Sequence, residues 1–407
     1  ILARAIVPQA LLLRARAGES ANVELMTKGR QSSAQVVSHL TVQNRRQAES
    51  IAKQQRLIRE LEAANRQLAE RTAELEAASS SQTAGKAPPE VGPAGQANQT
   101  GPAPKEPTFF VITASADATA QMWSTRTGEL LRTFRGHTDA LWSCCLSPDC
   151  MRLFTTSQDG TAKMWDVSTG RCIRTYAGQQ GAPNWACVTL DMQYLITAVN
   201  DETAKVWQVD SGMFVKSLPH KGCVCSVVTA PDGRHIFSAD GGGFGRKFTV
   251  PNFEEVCIFD GQNKQGLYSC FLSGDGRRFF TASHDGNVKM FDAELGGDAI
   301  LSFEGPGKAS NVMTSPTAPF VFCGRDDEGD GAVQMFSAET GDLERSFRGH
   351  SRGVSAIWVT PDGRWLLTAS WDKTAKVWDI ATGDVVLTYR GHKSLVQGIV
   401  CGCRCHE

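Results

Sequence analysis

The chain has 407 residues, 41% hydrophobic and 21% charged, with a formal net charge of −1 and a pI of about 6.8. That length and apolar share can bury a large core, while near-neutrality excludes a global field holding nucleic acid or an anionic membrane. The longest uninterrupted aliphatic run, residues 10–13, excludes a helical membrane span. Thirteen cysteines are scattered through strand-like runs (Cys144, Cys145, Cys187, Cys225, Cys270, Cys323), which suits small apolar residues in a reducing, cytoplasmic compartment rather than a disulfide framework.

In chain order, residues 1–39 read as an irregular N-terminal segment. Ile1 stands where an initiator Met would be, which reads as a fragment or a processed product. Arg4, Arg14 and Arg16 flank a small apolar run with no acid before Glu19, a faint organelle-targeting pattern set against an irregular tail. Residues 40–78 lack Gly and Pro and carry a seven-residue register. Ile51, Ile58, Asn65 and Thr72 fall at a, with Gln54, Leu61, Leu68 and Leu75 at d. Ile above Leu favours a parallel pair, the single Asn at a sets register, and Arg71 at g can reach Glu76 at e of a partner. The expectation is an α-helical coiled coil that homodimerises through residues 51–76, set against a solvated single helix. Residues 79–108 are rich in Ser, Pro, Gly and Ala and cannot bury enough surface to offset ordering, so a disordered, flexible linker is expected.

Residues 109–407 are organised by one unit, clearest at 368–379 (TASWDKTAKVWD). Two short alternating runs, 365–370 and 374–378, meet at a polar tip, Asp372-Lys373, the pattern of a half-buried β-hairpin. The aromatic closing the second run recurs at Trp123, Trp165, Trp207, Phe248, Phe291, Phe336 and Trp378, spaced 41 to 45 residues apart. Seven copies of one supersecondary unit are predicted.

These copies carry Gly-His pairs (Gly136-His137, Gly349-His350, Gly391-His392), turns (Ser147-Pro148-Asp149, Thr360-Pro361-Asp362-Gly363) and Trp-Asp pairs (Trp165-Asp166, Trp378-Asp379). On these motifs the segment resembles the WD-repeat β-propeller family. The resemblance implies an all-β fold of seven four-stranded blades, with most sheet edges hidden by radial packing. It also implies a buried network of His, hydroxyl, tip Asp and Trp, matched here by His137, Ser157, Asp159, Trp165 and by His350, Ser370, Asp372, Trp378. A catalytic-triad reading of these sets is rejected, because they recur and their Asp sits on a hairpin tip. The middle copies are eroded. Gln179 replaces His and Val199 replaces Ser in the third, and residues 239–248 of the fourth lose the Ser, Asp and Trp positions. The fifth keeps Ser283 and Asp285 with Phe291, and the sixth has an acidic tip at 326–330 that reads as solvated rather than metal-binding.

The first copy starts directly at its second strand (109–115), and after Gly391-His392 residues 395–401 read as a first strand with nothing after it. Joining the two closes the ring through the chain ends and adds a third set, His392, Ser115, Asp117 and Trp123. The terminal Cys401, Cys403, Cys405 and His406 lack usual structural-zinc spacing, so no metal and no cofactor is assigned.

No phosphate loop, nucleophile elbow or HExxH has a supporting context. A non-catalytic scaffold or adaptor is therefore expected, with a layout resembling G-protein β subunits and the coiled-coil autophagy scaffold; the alternative is a regulatory WD-repeat fragment of a larger multidomain enzyme or signalling protein. In the family, protein or peptide partners meet the face carrying the Gly-His loops and hairpin tips. Carried over, the positions before the tip Asp are Ala116, Gln158, Asn200, His284 and Trp371, and those around the first strand are Ala140, Trp142, Cys225, Tyr268, Lys308, Ser355 and Gln397. Trp142, Tyr268, His284, Lys308 and Trp371 form the expected docking patch, because aromatic residues dominate interfaces.

Overall fold

The computed structural model describes residues 109–262, 265–326 and 331–403. The expected coiled coil, linker and N-terminal segment, the tip of the acidic loop at 327–330 and the last residues, Cys405 and His406 included, lie outside them.

Alternating runs such as Arg152–Ser157 and Ala162–Asp166, each bounded by Gly, Asp or Ser turns, pair antiparallel, and the described residues form seven sheets of four strands. Blades 2 to 7 each run inner to outer in chain order; blade 2 spans 141–176, blade 3 183–219, blade 4 224–260, blade 5 267–303, blade 6 308–350 and blade 7 354–390. Blade 1 takes its three outer strands from Phe109–Ser115, Thr119–Ser124 and Leu130–Arg135 and its innermost strand from Val396–Cys403. Each innermost strand packs on those of both neighbouring blades, and Val396–Cys403 touches both Leu141–Leu146 and Val354–Val359, so the ring closes on itself. Closure by the two ends of the repeat array is what the complementary half-blades predict.

The apolar core is divided the same way. Seven clusters of buried side chains each draw on two adjacent blades, for example Val111 and Trp123 with Leu367 and Tyr389 between blades 1 and 7. No blade can bury its own two faces, so stability resides in the interfaces between repeats. Long side chains of the outer strands add a second belt: Arg174 donates to the Ser211 carbonyl of the next blade at 2.9 Å, and Arg345 to that of Thr382 at 2.6 Å.

One irregularity repeats in every blade and shapes the face that carries the hairpin tips. Where the innermost strand meets the second, the register slips by one residue, a β-bulge that leaves one side chain unopposed. The bulged residues are Gln397, Trp142, Asn184, Cys225, Tyr268, Ser310 and Ser355. Ser310, not Lys308, therefore occupies this position in blade 6, a correction to the expected alignment. Two residues along a strand return a side chain to the same face, so a period-two pattern cannot separate the positions.

Candidate functional site

The sites are built from the hairpin tip outward. In blade 7 the His350 ring lies 2.8 Å from Asp372 through Nδ1 and 2.7 Å from Thr368 Oγ1 through Nε2, and Trp378 Nε1 donates to the same hydroxyl at 2.9 Å. Blade 2 repeats this with His137, Asp159, Thr155 and Trp165 at 2.7, 2.9 and 2.8 Å. Blade 1 repeats it across the chain ends with His392, Asp117, Thr113 and Trp123 at 2.9, 2.8 and 2.8 Å. With a neutral imidazole carrying its proton on Nδ1, every donor has an acceptor: indole to hydroxyl, hydroxyl to Nε2, Nδ1 to carboxylate.

The hydroxyl is a correction. It comes from Thr155, Thr368 and Thr113, not from Ser157, Ser370 and Ser115. The serines sit two residues nearer the tip, where Ser157 and Ser370 donate to the carbonyls of Asp139 and Arg352 and accept the N–H of Asp159 and Asp372; Ser115 likewise donates to Ser394 and accepts from Asp117. Both positions face the same way, and the indole N–H reaches only the deeper one.

The Gly of each Gly-His pair has a physical reason. A Cβ on Gly136 or Gly349 would lie 3.2 Å from the Trp165 or Trp378 ring, and one on Gly391 2.9 Å from that of Trp123. The loop passes so close to the indole that a side chain has no room.

Burial alone would raise the tip carboxyls, but hydrogen bonds from His392, Thr119 and the Lys393 N–H hold Asp117 well below the usual range. Those from His350 and Thr374 do the same for Asp372. Desolvation outweighs the Asp159 partner at His137 and lowers its pKa, so that ring is neutral. The three threonines are completely buried. A hydroxyl held between an indole and an imidazole with no path to substrate is structural, not nucleophilic.

The other blades keep remnants. Thr197 in blade 3 accepts from Trp207 and donates to Gln179, both at 3.0 Å, while Asp201 turns to Lys205 at 2.8 Å. Blade 4 is less eroded than its sequence suggests: His220 lies 2.7 Å from Ser238, which holds the hydroxyl position the reading of 239–248 missed. The overlooked signal is a His two residues after the last buried apolar residue of an outer strand, Leu218. In blade 5 the buried Thr281 hydroxyl has no partner among the described residues, and Phe291 has no N–H to offer it. Complete networks thus occupy three consecutive blades, 7, 1 and 2.

The docking candidates gather elsewhere on the same face. A cleft of about 670 Å³ spans blades 5 to 7 and is lined by Tyr268, His284, Asp285, Lys308, Asp326 and Trp371, together with Gly305 and Gly307. Tyr268 is 43% exposed and packs against His284, the rings tilted with centroids 5.0 Å apart. Trp371 is half-buried, and its indole N–H donates to Gln397 at 3.1 Å. The cleft brings together four of the five expected residues. Trp142 is not among its lining; it lies in blade 2, bonded to Gln158 at 2.9 Å. Residues before the tip Asp are tied down by their own N–H groups, Trp371 to Gly353 and His284 to Gly266.

The family profile of the WD domain, G-beta repeat, matches residues 128–166, 253–292 and 341–379, within the same seven-bladed ring. The described residues form a WD-repeat β-propeller. Similar curated WD-repeat proteins include Striatin-4 of Homo sapiens, 21% identical over 196 residues that cover 46% of this chain and 26% of the relative. WD repeat-containing protein 1 of Gallus gallus is 34% identical over 112 residues, covering 24% of this chain and 18% of the relative. Small ribosomal subunit protein RACK1 of Saccharomyces cerevisiae is 55% identical over 40 residues, 10% of this chain and 12% of the relative. Each match spans less than a third of the relative's own length. Among the described residues, no helix is long and apolar enough to cross a membrane.

Proposed function

We propose that this WD-repeat propeller is a non-catalytic interaction scaffold that docks a protein or peptide segment on its Gly-His face. The observation that carries the reading is the cleft across blades 5 to 7, where Tyr268, His284 and Trp371 offer aromatic surface beside Lys308, Asp285 and Asp326. Aromatic anchors with a polar surround are the composition of interface hot spots. The cleft lies at the junction of two eroded blades with an intact one, so its walls combine a rigid wall with more yielding ones.

The second part of the proposal is oligomerisation through residues 51–76, which rests on the Ile/Leu seam with Asn65. It would present two propellers to one assembly, and light scattering on residues 40–407 against 105–407 distinguishes dimer from monomer. A cytoplasmic location is proposed with it, supported by Cys144, Cys187, Cys270 and Cys323, which are buried as thiols outside any disulfide.

The docking test is a quantitative comparison of the proteins retained from source cells by the parent and by a Tyr268→Ala, Trp371→Ala double variant. Loss of a defined set of partners by a variant that still melts like the parent is expected. A folded variant that retains every partner overturns the cleft as the docking site.

A further inference from the structure

Cys223 and Cys225 flank Val224 where the chain enters the innermost strand of blade 4. Residues two apart share a face of a strand, and Cys225 is the bulged residue of its blade, so the two side chains converge. Their sulfurs lie 3.8 Å apart, in van der Waals contact. Both are half-buried, in contrast to the buried Cys144, Cys187, Cys270, Cys323 and Cys401, and to Cys172, which is exposed.

The surroundings are shaped around the Cys223 sulfur. A Cβ on Gly241 would come within 2.8 Å of it, so the tip of the blade 4 hairpin leaves room for the thiol only because it is glycine there. The Gly241 N–H is fixed to the Cys223 carbonyl at 2.8 Å. On its other side, the Gly241 carbonyl oxygen lies 2.7 Å from where a Gly266 Cβ would stand, and Gly266 leads directly into Leu267 and Tyr268. One glycine tip is thus wedged between the thiol pair and the loop that leads into Tyr268.

We propose that Cys223 and Cys225 form a peroxide-responsive dithiol that closes to a disulfide on the Gly-His face, one blade from Tyr268. The modification stands independently of whether the cleft docks a partner. The hydrogen bond from Cys225 holds the Cys223 thiol below its ordinary range, outweighing burial, while that bond and burial together push Cys225 up. Cys223 is accordingly the thiolate that attacks, and Cys225 the resolving thiol.

The Cys223 sulfur attacks one peroxide oxygen, the O–O bond breaks, and hydroxide leaves to take up a proton as water, giving a sulfenic acid at Cys223. The Cys225 sulfur then attacks the Cys223 sulfur, its proton leaves with the displaced hydroxide as a second water, and the S–S bond forms. Two thiols are oxidised and one hydrogen peroxide is reduced. A bridge across a single residue is strained, which keeps it within reach of thiol reductants.

The test is hydrogen peroxide treatment of the full chain, alkylation of the remaining thiols, and peptide mass spectrometry. Trypsin releases both cysteines in one peptide, residues 222–234. That peptide is expected to lose two hydrogens, resist alkylation until dithiothreitol is added, and react on the order of tenfold faster than the exposed Cys172. In Cys225→Ser, checked by melting, dimedone should capture the sulfenic acid at Cys223. Oxidation of Cys172 ahead of the pair, or oxidation of Cys223 without the intrapeptide bridge in the parent, overturns the proposal.

Discussion

His392 and Asp117 stand 275 positions apart in the chain, and their side chains meet at 2.9 Å. That contact completes a network whose hydroxyl, Thr113, and indole, Trp123, belong to the start of the repeat array, while its imidazole belongs to the end. The strand that follows, Val396–Cys403, pairs with Phe109–Ser115 and fills the innermost place of blade 1. Local and global structure are joined at this seam.

Deleting residues 393–407 removes that strand and bares the edge of Phe109–Ser115 together with the inner faces of blades 2 and 7. The truncated protein is expected to unfold or aggregate. A truncation with the parent's melting temperature would show that something else closes the ring. The milder His392→Ala should cost about 1–3 kcal/mol, the value of leaving buried partners unmatched, read as a lower urea midpoint.

Thr368, not Ser370, bridges His350 and Trp378. Thr368→Val keeps the shape but leaves an imidazole nitrogen and an indole N–H unmatched, so a loss of about 2 kcal/mol is expected. Thr368→Ser should recover most of it, because the hydroxyl rather than the methyl carries the network. Equal urea midpoints for Val and Ser at this position would refute the assignment.

Gly349 and Gly178 occupy equivalent positions just ahead of blades 7 and 3. Both have positive φ, 148° and 105°, but only a Cβ on Gly349 would press on a tryptophan, Trp378 at 3.2 Å. Gly178→Ala meets nothing within 4 Å and carries backbone strain alone, about 1 kcal/mol. Gly349→Ala should destabilise more. If the two variants melt alike, close approach of the loop to the indole is not what requires glycine.

Acid should weaken the fold in two stages. His137 and His220 have folded pKa values lowered by desolvation, against about 6.5 in the unfolded chain. Below pH of about 6.5 the unfolded chain takes up protons that the folded chain refuses, so stability falls. Asp117 and Asp372 are also lowered, so their contribution is complete above pH of about 4 and lost as the pH drops further. Urea midpoints measured from pH 8 to pH 3 test both stages, and Asp372→Asn should flatten the lower one. A midpoint that rises on passing from pH 7 to pH 5.5 would mean that the histidines are held as cations.

The amino-acid sequence by itself determined the repeat, its count of seven and the pairing of the two ends. These follow from period-two patterning, from turn residues such as Pro361-Asp362-Gly363, and from a spacing near 42 residues, all of which act within one or two neighbouring units. Only the tertiary structure decided which hydroxyl joins His350 to Trp378, because Thr368 and Ser370 share a face and differ by one step of depth along the strand. It also decided that Ser310 rather than Lys308 takes the bulge in blade 6, since a bulge shifts register without changing the alternation. The cleft was half legible: Tyr268, His284, Lys308 and Trp371 were nominated from their places in the repeat, but Trp142 occupies an equivalent place and stands apart from them. What separates them is which blades become neighbours around the ring, and Trp371 meets Gln397 only when blade 7 and the last strand pack side by side.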